Sequence, residues 1–305
     1  MKRDRLSSLS ISLVVLLATT LIACGGSDID FSDYPPATFT NSENAQMWAS
    51  ASAPNIVGLP LTLFVSAELT AGQGCPAMVE NGNATTLTGG CTDMNGNQWH
   101  GEARGLNEVT SGFVEFEGFG TTGESEDCPG TLTSLADGDL TLAGNLLESD
   151  FSVELEIVTT GPLGENCEDG ESRIAISYDG TLVRDGVDGE EIWNGRGQFA
   201  ETSIGVATVA TNDEIIDADI CDGEALSGTT DVQSDGHTLT ISYDGATDCS
   251  PESTVRWAID GVDQGEWTGV TCSAGLDSTS DLGLLLCALV LVSLGLRRRQ
   301  CTTTA

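Results

Sequence analysis

The chain has 305 residues with 47 acidic against 11 basic side chains, a formal net charge of −36. Residues 25–271 are more lopsided still, with 44 Asp and Glu, five arginines (Arg104, Arg173, Arg184, Arg196, Arg256) and no lysine. That excludes a nucleic-acid-binding surface, which needs basic groups against phosphate, while 39% apolar residues exclude a wholly disordered chain.

Lys2, Arg3 and Arg5 precede an apolar run from Ile11 to Ile22. This is the plan of a signal peptide, and the run is too short to span a bilayer. Leu21-Ile22-Ala23-Cys24 follows. Leucine at −3 suits an ordinary leader peptidase poorly, and the four residues resemble a bacterial lipobox. The resemblance implies a signal peptide over residues 1–23 and lipid on Cys24 after cleavage. Gly25, in place of an aspartate, implies delivery to the outer membrane and the cell surface.

Residues 24–58 read as a polar tether with Pro35-Pro36 and one short helix from Thr40 to Ser52. Thr40 and Glu43 stand there at capping-box spacing. Residues 59–271 read as strand, turn, strand. Phe151, Val153, Leu155 and Ile157 alternate with Ser152, Glu154 and Glu156, and Val114 and Phe116 alternate with Glu115 and Glu117. Such period-2 patterning predicts half-buried antiparallel sheet. No βαβ rhythm interrupts it. The expected fold is all-β: an antiparallel meander of about a dozen strands, as a curled sheet, sandwich or open barrel with disulfide-closed hairpins.

A repeat supports this. Ile176-Ser177-Tyr178-Asp179-Gly180 recurs as Ile241-Ser242-Tyr243-Asp244-Gly245. Each copy leads to Asp-Gly-Val-Asp (185–188, 260–263) and then Trp-x-Gly at Trp193 and Trp267; a fainter copy runs from Asp93 through Trp99 to Gly101. Alternation turns Trp193, Gly195, Gly197 and Phe199 inward and Asn194, Arg196 and Gln198 outward. A large ring beside glycines is a packing solution of sheets.

At the other terminus, Leu282 to Leu296 is apolar and Arg297-Arg298-Arg299 follows. Fifteen helical residues rise roughly 22 Å, less than a bilayer core. Cys272, a polar spacer, the apolar run and the arginines resemble the C-terminal sorting tails of myxobacterial surface proteins. That resemblance covers residues 272–305 and implies a role for Cys272 in processing and anchoring. With the arginines cytoplasmic, the acidic body faces away from the cytoplasm.

Seven cysteines lie between Cys24 and the apolar run. Assigning Cys272 to the tail leaves six, a parity suited to an oxidising compartment. Asn81-Gly82-Asn83 lies midway between Cys75 and Cys91, and Asp235-Gly236 midway between Cys221 and Cys249. A hairpin turn at the midpoint brings equidistant residues together, which predicts Cys75–Cys91 and Cys221–Cys249. Cys128–Cys167 follows by elimination, with turns expected inside it at Asp137-Gly138 and Glu148-Ser149.

Chemistry is sparse. His100 and His237 fall at outward strand positions, and no hydrolase, zinc or phosphate-loop motif occurs. Glu115/Glu117 and Glu154/Glu156 place carboxylates two apart, roughly 7 Å along a strand. That is within reach of glycosidase geometry, and also common by chance in so acidic a chain. Asp185/Asp188, Asp260/Asp263 and Asp93/Asn95 offer oxygen ligands in repeated turns, a candidate structural calcium set. Asp213, Asp217, Asp219 and Asp222 form a further cluster. Trp99, Trp193, Trp257 and Trp267 would make a sugar-stacking platform if exposed and a core if buried. The expectation is an anchored surface structural or interaction module with no catalytic residue and no cofactor beyond that calcium. The alternatives are a calcium-dependent or carbohydrate-binding module and an extracellular glycosidase-like hydrolase.

Overall fold

The computed structural model describes residues 29–107, 111–125, 128–145, 147–164, 166–184, 190–217, 225–243 and 254–268. Two helices, α1 (Ser42–Ala49) and α2 (Ala53–Ala71), precede thirteen strands. These are β1 (Ala77–Asn81), β2 (Ala84–Thr88), β3 (Gln98–Asn107), β4 (Ser111–Glu124), β5 (Thr131–Gly144), β6 (Glu148–Leu163) and β7 (Glu168–Arg184). Then come β8 (Glu191–Glu201), β9 (Gly205–Ile216), β10 (Ala225–Ser234), β11 (His237–Tyr243), β12 (Thr254–Ile259) and β13 (Val262–Thr268). Each strand pairs with the next, antiparallel, in one sheet ordered β1 to β13. The sheet is open: β1 and β13 are its edges. The predicted all-β meander is therefore present as a single open sheet.

Strict alternation writes the two faces. Along β6, Phe151, Val153, Leu155 and Ile157 are buried and the residues between them are not. The inner face continues through Leu87, Ala103, Val114, Leu140, Ile176, Tyr178, Val209, Val232, Leu239, Ile241 and Trp257 into one core.

Both helices lie on that face, and here the structure departs from the sequence reading. Residues 59–71 are not strand; they continue α2, so the domain boundary placed at residue 59 falls inside a helix. Ile56, Val57, Pro60, Phe64, Ala67 and Ala71 recur at helical spacing and are all buried. Pro54 stands in the first turn, where a missing N–H costs nothing. The shorter helix begins at Ser42, not Thr40: the Asn41 side chain caps it by accepting from Asn44 N at 2.9 Å. Trp48, fully buried, packs edge-on between Phe39 and Phe199 at 6.3 and 5.8 Å.

Both midpoint hairpins form. Asn81 pairs with Ala84 across Gly82, and Ser234 with His237 across Asp235-Gly236. The Cys75–Cys91 and Cys128–Cys167 disulfides are present. The second closes the β5–β6 hairpin beyond its open end; Glu148-Ser149, expected as a turn inside it, instead begins β6, with Ser149 paired to Gly144. Asp137-Gly138 is not a turn but the middle of β5. Its carboxylate accepts from Gly118 N at 2.6 Å, holding a bulge in β4, and Gly138 takes a positive φ of 123°. The Asp-Gly pair serves a kink rather than a reversal.

Aromatic rings lie over glycines as expected, but the glycines belong to neighbouring strands. A Cβ on Gly180 would run into the Phe151 ring, and one on Gly195 into the Tyr178 ring.

In a meander every odd-numbered strand starts at the same end of the sheet. The N-terminal segment is fastened at that end: Val206 N–H donates to Pro35 O and Ala37 N–H to Val206 O, at 2.8 and 3.0 Å. It is called the tether end below.

Candidate functional site

The proposed calcium ligands divide. Asp93 is committed to its own loop. Its carboxylate accepts from Asn95 N and Asn97 N at 2.9 Å, from the Asn97 side chain at 3.2 Å and from Trp99 Nε1 at 3.1 Å. Burial pushes its pKa up, but these bonds together outweigh it and hold the carboxyl below the ordinary range. Asp260 accepts from Thr238 N at 2.9 Å and pairs with His237 Nδ1 at 2.7 Å, while Asp263 accepts from Gly265 N. Each thus organises a turn at the tether end. Asp185 and Asp188 lie outside the described residues, as do Asp219, Asp222, Cys24, Cys272 and the predicted Cys221–Cys249 pair. Among the described residues no three acidic, His or Cys side chains converge on a metal position.

The acid pairs share the outer face. Across the strands Glu102 faces Glu117, Glu115 faces Asp139, Asp139 faces Glu154 and Asp137 faces Glu156. Arg104 and Arg173 neutralise the margins through ion pairs to Glu102 and Glu171, each at 2.6 Å, and Ser177 donates to Glu154. The dent bounded by Glu102, Arg104, Glu115 and Glu117 has a volume of about 20 Å³, room for one water and not for a sugar. A shallow opening of about 330 Å³ adjoins the β4–β5 turn at Glu124, Ser125 and Pro129–Thr131. Trp48, Trp99, Trp193, Trp257 and Trp267 are all in the core, so none offers a stacking face. His100 is half-buried, its Nε2 2.9 Å from Thr122 Oγ1.

The chemically unusual group is one the sequence did not mark. Glu214 is 3% exposed on the inner face, with its Oε2 unbonded. Burial pushes its pKa up to about 8, although the hydroxyls of Ser52 and Thr230 offset part of that. Tyr243, beside it, is pushed up by its own burial and then by Glu214. Next to them Thr211 Oγ1 accepts from Ala53 N at 2.8 Å and from the Tyr178 hydroxyl at 2.9 Å. Ser52 is the N-cap residue of α2 and makes no capping bond. This cluster therefore joins the start of α2 to β7, β9, β10 and β11. Its carboxyl is neutral at ordinary pH and sealed from substrate, so it acts as a fastening.

The reason Glu214 escaped notice is a bulge. Inward positions along β9 run 205, 207, 209 and 211; Asn212 and Asp213 are then both exposed, and 214 turns in. Asp213 adopts a φ of 46°, and the register shifts against β8 and β10 at this place. Asn212-Asp213 tolerates the left-handed conformation and is the one signal available in the sequence.

Comparison with known proteins finds no protein family, no curated protein and no solved structure that matches this chain.

Proposed function

We propose that the chain is an exported lipoprotein, held at the outer membrane through lipid on Cys24, whose body is a non-enzymatic surface structural or interaction module. The observation that carries the reading is the lipobox, Leu21 to Cys24, ahead of a lysine-free acidic body. Support comes from the filled inner face: the tryptophans are core, the acid pairs are solvated, and the Glu214 carboxyl is sealed. Two disulfides suit an oxidising compartment. The tail from Cys272 is a second anchoring element in this reading.

The test is fractionation and intact mass of the protein made in a lipoprotein-processing bacterium. The expected product begins at Cys24, carries lipid and leaves the membrane fraction when Cys24→Ser is introduced. A mature chain of unmodified mass, soluble without the substitution, would falsify the anchor.

A further inference from the structure

The two edges of the open sheet are built differently. β13 is guarded as exposed edges usually are: the register shifts opposite Trp257, Gly265 takes a φ of 116°, and Asp263 and Glu266 stand exposed along it. β1 has no such device. It pairs with β2 in unbroken register from Ala77–Thr88 to Asn81–Ala84, all five of its residues are exposed, and Glu80 is its one charge. Among the described residues no strand lies along its outer side.

The hairpin fixes which main-chain groups are free. Gly82 and Asn83 make a two-residue loop, so Asn81 and Ala84 exchange both of their hydrogen bonds, and so do Val79–Thr86 and Ala77–Thr88. The N–H and C=O groups of Met78 and Glu80 therefore point away from β2, and each residue offers a donor and an acceptor to a further strand. Side chains flank that row on both faces. Register with buried Leu87 puts Met78 and Glu80 on the helix-covered face, and Val79, 63% exposed, on the other. α2 ends beside β1, and its last turn carries Glu68 and Leu69, the leucine 71% exposed.

We propose that the β1 edge takes an added strand from a partner protein, an extended segment in which lysine or arginine alternates with a β-branched apolar residue. Main-chain bonds to Met78 and Glu80 hold the segment, as in other strand additions. Side chains set its chemistry. On the helix side a long basic residue lays its stem over Met78 and Leu69 and brings its charge to Glu80 and Glu68. On the outer side an apolar residue covers Val79. Charge decides between such a partner and a second copy of the chain: residues 25–271 hold 44 acidic side chains against five arginines, which attracts a basic strand and repels a like body. The proposal names a partner for the interaction-module reading and rests on that reading, but not on the lipid at Cys24.

The test uses the full chain and a dye-labelled synthetic peptide of alternating lysine and valine, with its glutamate–valine counterpart as control. Fluorescence anisotropy should show binding of the lysine peptide alone, and hydrogen exchange should slow at Met78 and Glu80 in the complex. Met78→Pro removes an outward N–H that the β1–β2 ladder does not use, and it should weaken binding about tenfold. Glu80→Lys leaves the main chain as it is and should weaken the lysine peptide while admitting the glutamate one; it carries the test if the proline unsettles the hairpin. Unchanged affinity in both variants, no slowing at β1, or no binding of the lysine peptide overturns the strand-addition site. A dimer that protects Met78 and Glu80 without peptide overturns the basic partner and makes a second copy the occupant. The intact mass at Cys24 is independent of these outcomes, so the anchor and the edge can fail separately.

Discussion

Glu214 is the residue whose environment most opposes its chemistry. Its pKa stands at about 8 against an ordinary 4.5, because burial penalises the charged form. The folded protein therefore holds this proton more tightly than the unfolded chain does. The stability so contributed is complete below about pH 4.5 and is lost as pH rises through about 8. At about 1.4 kcal/mol per pH unit the loss reaches about 5 kcal/mol. Glu214→Gln keeps the shape and abolishes the titration. Its urea midpoint should match wild type near pH 4 and exceed it clearly at pH 9; parallel profiles for the two proteins would refute the fastening role. The readout is specific, because Tyr178 and Tyr243 are both pushed upward and titrate only beyond that window.

Hairpins are the elements on which the disulfides act. Cys128–Cys167 spans 39 residues of sequence and Cys75–Cys91 spans 16. In the chain-entropy account, opening the first to paired serines costs about 4 kcal/mol and the second about 3 kcal/mol. Urea midpoints of the two double variants should fall in that order; the reverse order would place the constraint elsewhere. These elements were also the legible ones. Gly82 and Gly236 announce turns because tight hairpins require a positive φ, and the observed values are 67° and 81°. The cysteines on either side of the Asn81-Gly82-Asn83 turn, centred on Asn83, are then brought together. Asp137-Gly138 carries the same letters and the opposite meaning, because whether such a pair reverses the chain or kinks it depends on the bulge in the strand opposite. Residues 59–71 misled for a related reason. Gly58, Pro60, Thr62 and Val65 are poor helix formers, and only burial of the Ile56–Phe64–Ala71 stripe against the sheet repays their weak propensity. Glu214 was illegible because one bulge reverses the parity of everything after Asn212.

Across the whole molecule the net charge is −36, and residues 25–271, which contain the single open sheet, hold 44 acidic side chains against five arginines. The inner face is apolar, so the charge falls on the outer face and the loops. Self-repulsion is the consequence, and it is sharpest where like charges are cross-strand partners. Asp139 lies between Glu115 and Glu154 in register, and burial together with the Glu115 charge raises its pKa. Directly opposed like charges cost up to about 1 kcal/mol a pair. Asp139→Asn relieves two such pairings while keeping the side-chain volume, so it should stabilise the fold by about that much in dilute buffer. At 1 M salt the screening length falls to about 3 Å, and the advantage should nearly vanish as the wild type catches up. Thermal melts of both proteins across a sodium chloride series measure this. A gain that persists unchanged at high salt would trace to local packing instead. Convergence of the two curves would mean that the outer face is held in permanent electrostatic tension. Such a face repels other copies of itself wherever two of them meet.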